Sequence, residues 1–521
     1  MTRSRLAFLL LLAPLLAPFS GCAKQRPKPN VLLIVVDTLR ADHVGERNGK
    51  PSLTPNLDRF AAQCLVFDHA QSPRAKTTPA VASLMTGLYP HDHHVRDLTT
   101  PLEADVPLWA EAFKAGGYRT GAIIGNYVLQ DKLSGLARGF DLWVEDLPDE
   151  NGVPPSNVPM RGATSITDGL LCALGLAEPS ADGAGPHKAF ARSGQPWFLW
   201  AHYMDPHGAY EPPAPYREAA LAAVQVGAQP IPNTPPAEGA LHKRWVAEYN
   251  IPDVARLADG SIDGGVMAAL YGGEVSYVDA QIGRLLDSLR AAGQLQNTLV
   301  IITADHGESL GEHDYWFEHG RYAYEATCRV PLMIRFPDVQ QDAPQPGLRH
   351  GDISLADLQP TLTETCWLPR GRMLNGQLSQ VRGRSRASLM REDKAAGAPV
   401  FCEKVERAEK TGTVQAKAVR IGDWKLIRRY THVRQGNGRD AERRLVILSE
   451  ELYDLRADPA EAHNLIQAPG DAPLKRLIAS LLEYSSADRD FAELASLLQK
   501  RREDLGREDP ETLRALRALG Y

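Results

Sequence analysis

The stretch NVLLIVVD, Asn30 to Asp37, is a continuous apolar run, rich in β-branched residues, that ends in a carboxylate. An uninterrupted run of this kind indicates a strand buried on both faces, as in a parallel sheet covered by helices. Similar runs recur at Thr120–Gly125, Trp197–His202, Thr298–Thr303 and Val330–Phe336. Between them lie helical apolar patterns such as Pro107–Ala115 and Val275–Ala291. The sequence therefore predicts an α/β fold with a mostly parallel central sheet and helices on both faces.

The chain changes in character after about Cys366. Charged loops there alternate with short strand patterns, such as Ala418–Tyr430 and Glu451–Asp454, and charged amphipathic helices follow to the end of the chain. This pattern predicts a smaller C-terminal α+β domain over residues 366–521, after a main domain over residues 30–365.

Two long segments of the main domain are poor in periodic apolar residues. They are Pro148–Gly194, rich in Gly, Pro and Ser, and Glu211–Gly239, dense in Pro and Ala. Long loops inside a compact domain usually have a function. We expect both segments to be long loops or insertions over the carboxyl edge of the sheet and to shape access to a site there.

The N-terminal residues have the pattern of a secretory signal, because two arginines precede the apolar run Leu6–Phe19 and Ser20–Cys22 follows it. A cysteine directly after small residues resembles the cleavage site of bacterial lipoproteins. We therefore expect residues 1–22 to be a signal peptide of the lipoprotein type, with a lipid anchor to the membrane on Cys22, and residues 23–29 to be a tether. The protein would then be exported to the bacterial periplasm or outer membrane. In the alternative, a plain signal peptide contains an incidental cysteine.

The chain has 521 residues, with 58 Lys and Arg against 64 Asp and Glu, so its formal net charge is −6 at pH 7. The basic residues are scattered and form no stripe, which excludes nucleic acid as a leading partner. Beyond Cys22, the cysteines show neither metal-site nor redox spacing; they are Cys64, Cys172, Cys328, Cys366 and Cys402. One disulfide is possible among them, and the spacing does not indicate its connectivity.

Two predicted strands end in candidate metal ligands. Asp37 closes the first strand, and Asp305 and His306 follow the strand Thr298–Thr303. Because the carboxyl ends of parallel strands meet at one edge of a sheet, we expect these side chains to converge. Carboxylate oxygens favour Ca²⁺ or Mg²⁺, whereas an imidazole favours Zn²⁺ or Mn²⁺. Taken singly, each aspartate fits a helix cap or a turn equally well.

Several longer motifs follow one another along the chain. They are PNVLLIVVDTLRADHVG from residue 29, TPNLDRFAAQCLVFDHAQS from 54, TPAVASLMTGLYPHDHHV from 78, FLWAHYMDPHGAYEPP from 198, VSYVDAQIGRLLDSLR from 275, TLVIITADHGESLGEH from 298 and ELYDLRADPAEAHNL from 451. In order and spacing they resemble the sulfatase family of the alkaline phosphatase superfamily. The resemblance implies an alkaline-phosphatase-like fold for the main domain and a hydrolase of sulfuric or phosphoric esters, acting on a small molecule or a glycan.

The resemblance also implies a divalent metal ion held by Asp37, Thr38, Asp305 and His306. Ca²⁺ is the metal expected from the family, and Mn²⁺ or Zn²⁺ are alternatives because His306 contributes an imidazole. Sulfatases have two adjacent aspartates where this chain has Asp37 and Thr38.

The residue at the family's nucleophile position is a threonine. Sulfatases oxidise a cysteine or serine there to formylglycine, and counting back from Thr86 and Gly87 puts Thr77 at this position, at a predicted helix start. A threonine cannot become formylglycine. Other members of the superfamily use an unmodified, metal-bound threonine, so the resemblance implies in-line attack by Thr77. A threonine sulfate cannot collapse to an aldehyde, so the mechanism favours phosphoric esters, while overall similarity favours sulfuric ones.

Three residues depart from the family where positive groups hold the anion: Val81, Asn126 and Gly320. His207 matches a family active-site histidine, and the alternative for it is a packed loop histidine. His319 is expected to be a second ligand or a leaving-group acid, and the alternative is a solvent-exposed side chain. The depleted anion site leaves another function open, a non-catalytic sulfatase-like protein that binds an anionic glycan or a partner.

Overall fold

A computed structural model describes residues 28–46, 51–147, 160–179, 186, 189–191, 194–224, 229–231, 244–247, 251–366, 368, 382–392, 397–408, 412–435 and 442–488. The expected signal peptide, the lipid anchor on Cys22 and most of the tether lie outside these residues, so they and the export that they imply stay predictions. Within the described ranges, no helix is both long and apolar enough to cross a membrane.

Strands and helices alternate through the main domain, and four long strands follow it. In chain order the strands are β1 Asn30–Val36, β2 Leu65–Phe67, β3 Ala70–Gln71, β4 Arg119–Ile124, β5 Leu142–Val144, β6 Trp197–Tyr203, β7 Trp245–Val246, β8 Thr298–Ala304, β9 Ser309–Leu310, β10 Tyr315–Glu318, β11 Leu332–Arg335, β12 Gly347–Arg349, β13 Ile353–Ser354, β14 Val400–Ala408, β15 Gly412–Ile421, β16 Trp424–Gln435 and β17 Glu442–Asp454. The α-helices are α1 Pro55–Ala61, α2 Thr77–Thr86, α3 Pro90–His93, α4 Trp109–Ala115, α5 Asp131–Ser134, α6 Ala163–Ala173, α7 Tyr216–Ala222, α8 Gly264–Ala291, α9 Glu325–Cys328, α10 Leu358–Thr365, α11 Ala387–Arg391 and α12 Leu474–Ala487.

The central sheet has the strand order β12-β2-β11-β8-β1-β6-β4-β5 in the described part of the chain. β1 lies between β8 and β6 and is parallel to both, whereas β11 is antiparallel to β8 and β2. Every side chain from Val31 to Val36 is fully buried. Because successive strand residues point to opposite faces, both faces of β1 are covered. The predicted mostly parallel sheet with helices on both faces is therefore confirmed.

The predicted strands of this sheet end within two residues of the observed ones. α8 begins at Gly264, well before the predicted start at Val275. The prediction missed the first turns because glycines interrupt the apolar pattern there. Two of these glycines are places of close approach: a Cβ atom at Gly273 would lie 2.9 Å from Pro212, and one at Gly272 would lie 3.2 Å from Leu53. Glycine at these two positions therefore lets neighbouring segments pack closely on α8, and it does not break the helix.

The two segments that we expected to be long loops or insertions contain helices. α6 lies inside the first segment and buries Ile166 and Leu170, and α7 lies inside the second and packs on α8. Of the two alternatives, the loop is wrong at these helices, because their apolar spacing is hidden among Gly, Ser and Ala residues. Much of the remainder of both segments falls outside the described residues.

The C-terminal part contains an antiparallel sheet in the order β14-β15-β16-β17, with α12 packed on it. Leu426, Leu452 and Tyr484 belong to its buried apolar core. The predicted pattern Ala418–Tyr430 is a hairpin, because Gly422 takes the positive φ of 60° that the turn between β15 and β16 requires. These elements confirm a smaller α+β domain after the main one.

Candidate active site

Asp37, Asp305 and His306 converge at the carboxyl edge of the central sheet. Val36 and Ala304 are paired in register, so the residues that follow them leave β1 and β8 at the same level. One potential ligand atom from each of the three residues lies within 4.8 Å of the others. His306 Nε2 is 3.4 Å from Asp305 Oδ2 and 3.7 Å from Asp37 Oδ1. All three side chains are fully buried. The parallel strands therefore bring together the three residues that the sequence predicted to converge.

In each of the two carboxylates, one oxygen accepts a hydrogen bond and the other has no hydrogen-bond partner among the described residues. Asp37 Oδ2 accepts a hydrogen bond of 2.6 Å from the amide of Asn126, and Asp305 Oδ1 accepts one of 2.8 Å from the His306 backbone. Among the described residues, Asp37 Oδ1 and Asp305 Oδ2 have no hydrogen-bond partner although they are buried. Burial, followed by repulsion from Asp305, raises the pKa of Asp37, and burial raises that of Asp305 to about 6. Two orphaned carboxylate oxygens beside an imidazole fit a divalent cation.

The His306 ring presents the correct nitrogen for ligation. Its Nδ1 is 3.0 Å from the carbonyl oxygen of Gly307, which can only accept, so Nδ1 carries the proton and Nε2 keeps its lone pair. Burial also lowers the pKa of His306 to about 3. The ring is therefore neutral near pH 7 and faces the two aspartates as a donor to a cation.

Thr77 is the first residue of α2 and points at this cluster. Its Oγ1 is 3.3 Å from His306 Nε2, and the hydroxyl lies beside the Asp37 carboxylate. The next threonine faces elsewhere, since Thr78 Oγ1 donates to the carbonyl oxygens of Leu98 and Val128. The start of α2 thus directs one hydroxyl of the pair to the site and uses the other to anchor the helix.

Thr38 contributes through its backbone. It has a φ of 52°, which is unusual for a β-branched residue, and its N–H is 3.3 Å from Asp305 Oδ1. Tyr271 donates a hydrogen bond of 2.8 Å to its carbonyl oxygen and fixes this turn. The Thr38 hydroxyl is buried without a hydrogen-bond partner among the described residues. The structure therefore places Thr38 at the cluster as a strained connection between Asp37 and the rest of the site.

Two further imidazoles, His319 and His207, lie next to the cluster on the side of the His306 ring. The ring centroid of His319 is 4.3 Å from that of His306 and 5.1 Å from that of His207. His319 Nδ1 lies 3.2 Å from Glu308 Oε1, and His207 Nδ1 donates to the carbonyl of Gly208 at 2.7 Å. The His319 side chain is 10% exposed, so it is not the solvent-exposed histidine of the alternative interpretation. Both predicted histidines lie at the site.

One further residue at the site escaped the sequence analysis, and another makes a contact there that the sequence did not indicate. His202, the last residue but one of β6, is fully buried. Its Nε2 lies 3.9 Å from Asp37 Oδ2, and neither ring nitrogen has a hydrogen bond from the described residues. Asn126, which stands where the family has a positive group, donates from its side-chain amide to Asp37 Oδ2 at 2.6 Å. The signal for His202 was its place at the end of a predicted strand, where the other candidate ligands also stand.

Lys76 brings a positive charge close to the site that the sequence analysis did not identify. Gly320 has a φ of 84°, and a Cβ atom there would lie 2.5 Å from Cε and 2.8 Å from Cγ of Lys76. The stem of Lys76 therefore occupies the space that a side chain at position 320 would need. After burial, the Lys76 charge is among the causes that lower the pKa of His306 and His319. Its place directly before Thr77 was the available signal.

The histidines of the YPHDHH motif lie elsewhere. His93 Nε2 is 2.9 Å from Ser83 Oγ, and the His91 ring packs edge-on against Tyr484, with centroids 4.8 Å apart. His93 thus joins α3 to α2, and His91 joins α3 to α12, so both histidines have a structural role.

Two models of known protein families match most of the chain. The family model Sulfatase covers residues 29–366, and the model N-sulphoglucosamine sulphohydrolase, C-terminal, covers residues 311–488. The multifunctional alkaline phosphatase superfamily protein PehA of Trinickia caryophylli is 28% identical, over 90% of this chain and 98% of that protein. Choline-sulfatase of Rhizobium meliloti (strain 1021) is 25% identical, over 85% and 83% of the respective chains.

Solved structures share the fold at lower identity. One, a complex with its substrate D-glucosamine-2-N,6-O-disulfate, has a TM-score of 0.66 and 19% identity over 89% of this chain and 99% of that chain. Phosphonate monoester hydrolase of Agrobacterium radiobacter has a TM-score of 0.57 and 21% identity over 90% and 96%. Together with the family match, these findings show that the chain belongs to the sulfatase family, the sulfatase-like ester hydrolases of the alkaline phosphatase superfamily.

Proposed function

We propose that this chain is a metal-dependent hydrolase that cleaves sulfuric or phosphoric esters by in-line attack of the Thr77 hydroxyl. The observation that carries the proposal is the 3.3 Å distance from Thr77 Oγ1 to His306 Nε2, at the start of α2 and beside two spare carboxylate oxygens. The names of its relatives include both a choline-sulfatase and a phosphonate monoester hydrolase, so both ester classes are reasonable substrates.

In the proposed reaction, the Thr77 oxygen forms a bond to phosphorus or sulfur while the bond to the ester oxygen breaks. The N-terminus of α2 carries partial positive charge and stabilises negative charge on the Thr77 oxygen. A divalent cation held by Asp37, Asp305 and His306 would lower the pKa of the hydroxyl and offset the charge of the ester. Water then cleaves the threonine ester, which restores the hydroxyl and releases the acid.

Phosphoric esters suit this site better than sulfuric ones. A phosphoryl-threonine opens by attack of water at phosphorus, whereas a threonine sulfate lacks the collapse to an aldehyde that releases sulfate from formylglycine. The test is turnover of p-nitrophenyl sulfate, p-nitrophenyl phosphate and p-nitrophenyl phenylphosphonate by the purified protein with Ca²⁺, Mn²⁺ or Zn²⁺. Turnover that depends on the metal supports the proposal. A lack of turnover in every combination would favour the non-catalytic binding protein.

His319 is proposed to protonate the leaving oxygen, because its Nδ1 lies 3.2 Å from Glu308 Oε1 and the negative charge of a bound ester would raise the pKa that burial lowers in the free site. Replacing His319 by asparagine is expected to lower kcat for alkyl esters by about 10²-fold but for p-nitrophenyl esters by less than about tenfold, since p-nitrophenolate leaves without a proton. Steady-state kinetics on matched alkyl and p-nitrophenyl esters measure the difference. His94→Asn is the control, since the φ of 60° at this residue suits asparagine. Equal losses for both esters would contradict the role.

Lys76 is proposed to supply the positive charge that binds the substrate anion. Lys76→Met keeps the length of the stem beside Gly320 but removes the charge, so it is expected to weaken inhibition by inorganic phosphate about tenfold or more. Lys76→Arg keeps the charge and is expected to lose less. The measurement is the inhibition constant of phosphate, with Lys114→Met as the control, because Lys114 pairs with Asp141 near the surface. If Lys76→Met kept its metal content and the inhibition constant of phosphate were unchanged, Lys76 would not be the group that binds the anion.

A further inference from the structure

The segment that leads into Thr77 is held between two different parts of the fold. The Ser72 N–H donates a hydrogen bond of 2.8 Å to the carbonyl oxygen of Cys328, at the end of α9. On the other side, the Glu403 N–H donates to the carbonyl oxygen of Pro73 at 2.9 Å, and Arg74 Nη1 donates to the carbonyl oxygen of Glu403 at 3.0 Å. The position of Thr77 therefore depends on how α9 and β14 are held relative to each other.

Two cysteines meet at this junction. The Sγ atoms of Cys328, in α9, and Cys402, in β14, are 2.8 Å apart, which is well inside the van der Waals contact of two sulfur atoms. Both residues are buried. The surrounding cluster is apolar and aromatic and joins the main domain to the C-terminal sheet; its other buried members are Ala75, Ala323, Tyr324, Ala418, Ile427, Tyr453 and Leu455.

We propose that Cys328 and Cys402 form a disulfide that ties α9 to β14 directly behind the segment bearing Thr77. Formation of the S–S bond removes two protons and two electrons from the thiols. A disulfide oxidant, such as oxidised glutathione or a thiol oxidase, accepts them and is reduced to two thiols. The bond links residues far apart in sequence, so it restricts the unfolded chain as well as the folded junction.

Burial sets the time at which this bond forms. An oxidant cannot reach the two sulfurs once the junction has closed, and burial raises the pKa of the Cys328 thiol, which leaves little reactive thiolate. Oxidation therefore accompanies folding and precedes closure of the junction. The other described cysteines are buried elsewhere: Cys64 donates to the carbonyl of Phe60, Cys172 donates to that of Pro186, and Cys366 packs in the main apolar core. They are suitable internal controls.

Peptide mapping tests the bond without any variant. The full chain is refolded from denaturant in a buffer of reduced and oxidised glutathione, alkylated with N-ethylmaleimide in denaturant and digested without reduction. We expect a cross-linked peptide that contains Cys328 and Cys402, with alkylated Cys64, Cys172 and Cys366. Alkylation of both Cys328 and Cys402 after oxidative refolding would overturn the proposal, whatever the outcome of the activity assays.

Thermal unfolding provides an independent test. Protein refolded with a reductant is expected to unfold roughly 5 °C below the oxidised protein, since the cross-link no longer restricts the unfolded chain. A variant carrying Cys328→Ala and Cys402→Ala is expected to show no such difference, whereas Cys64→Ala is expected to keep it. A double variant that still responds to reductant like the unaltered protein would contradict the assignment of the bond to this pair.

Discussion

Replacing Thr77 by alanine is expected to lower kcat/KM by about 10³-fold or more, because the group that forms the covalent bond is lost. The change removes little else. Thr77 is 2% exposed at the first turn of α2, where alanine keeps the helical backbone, and its hydroxyl contacts the site and not the apolar core. Thr77→Ser keeps a hydroxyl and is expected to stay within about tenfold of the unaltered enzyme. Steady-state kinetics with the preferred p-nitrophenyl ester measure both effects.

The neighbouring threonine is the matched control for this experiment. Thr78 lies on the same turn, but its hydroxyl holds α2 to the carbonyl oxygens of Leu98 and Val128. Thr78→Ser keeps those hydrogen bonds and is expected to leave turnover nearly unchanged. Rapid acid quench adds a direct readout, since a covalent ester on the Thr77 peptide is expected in the unaltered enzyme and not in Thr77→Ala. Undiminished turnover by Thr77→Ala would instead point to direct attack by water and would refute the threonine mechanism.

The fold was readable from the sequence because its central strands are buried on both faces. The run from Val31 to Val36 has no polar residue, so neither its type nor its parallel setting was ambiguous. The convergence of Asp37 and Asp305 followed from the same reasoning, since neighbouring parallel strands end at one edge. What the pattern could not supply was the exact register, which puts Val36 opposite Ala304 and so brings the two carboxylates to one cation site.

Contacts between side chains that lie far apart in the sequence could not be predicted in this way. Lys76 and Gly320 are far apart in the chain, and only the folded structure shows that the lysine stem fills the space beside the glycine. Asn126 was taken for a lost anion ligand, although its amide holds Asp37. Local periodicity reports how a segment faces the core, but it does not report which distant side chain completes a site. For the same reason, the spacing of Cys328 and Cys402 gave no sign that their sulfurs meet.

Replacing Asp37 or Asp305 by asparagine is expected to abolish stoichiometric metal binding and turnover, yet to stabilise the metal-free protein. Burial and the nearby Asp305 charge raise the pKa of Asp37, so without a cation the ionised pair is unfavourable. An amide removes one buried charge, and its oxygen can still accept the hydrogen bond from Asn126. The expected gain in the free energy of unfolding is roughly 1–3 kcal/mol in the presence of a chelator. Metal analysis and thermal unfolding, each with and without a chelator, measure the two effects.

Asp279 supplies the control for the same chemical change. It is also a buried carboxylate, but it accepts hydrogen bonds from the backbone N–H groups of Asn56 and Leu57, which it ties to α8. Asp279→Asn replaces one of two accepting oxygens by a donor, so we expect it to lose stability with or without a chelator and to keep its metal. A cation site and a structural carboxylate thus respond to one substitution with opposite signs in the chelated protein. If Asp37→Asn retained metal, or lost stability in chelator as Asp279→Asn does, the cluster would be a structural carboxylate network, and the metal-dependent reaction would have to be placed elsewhere.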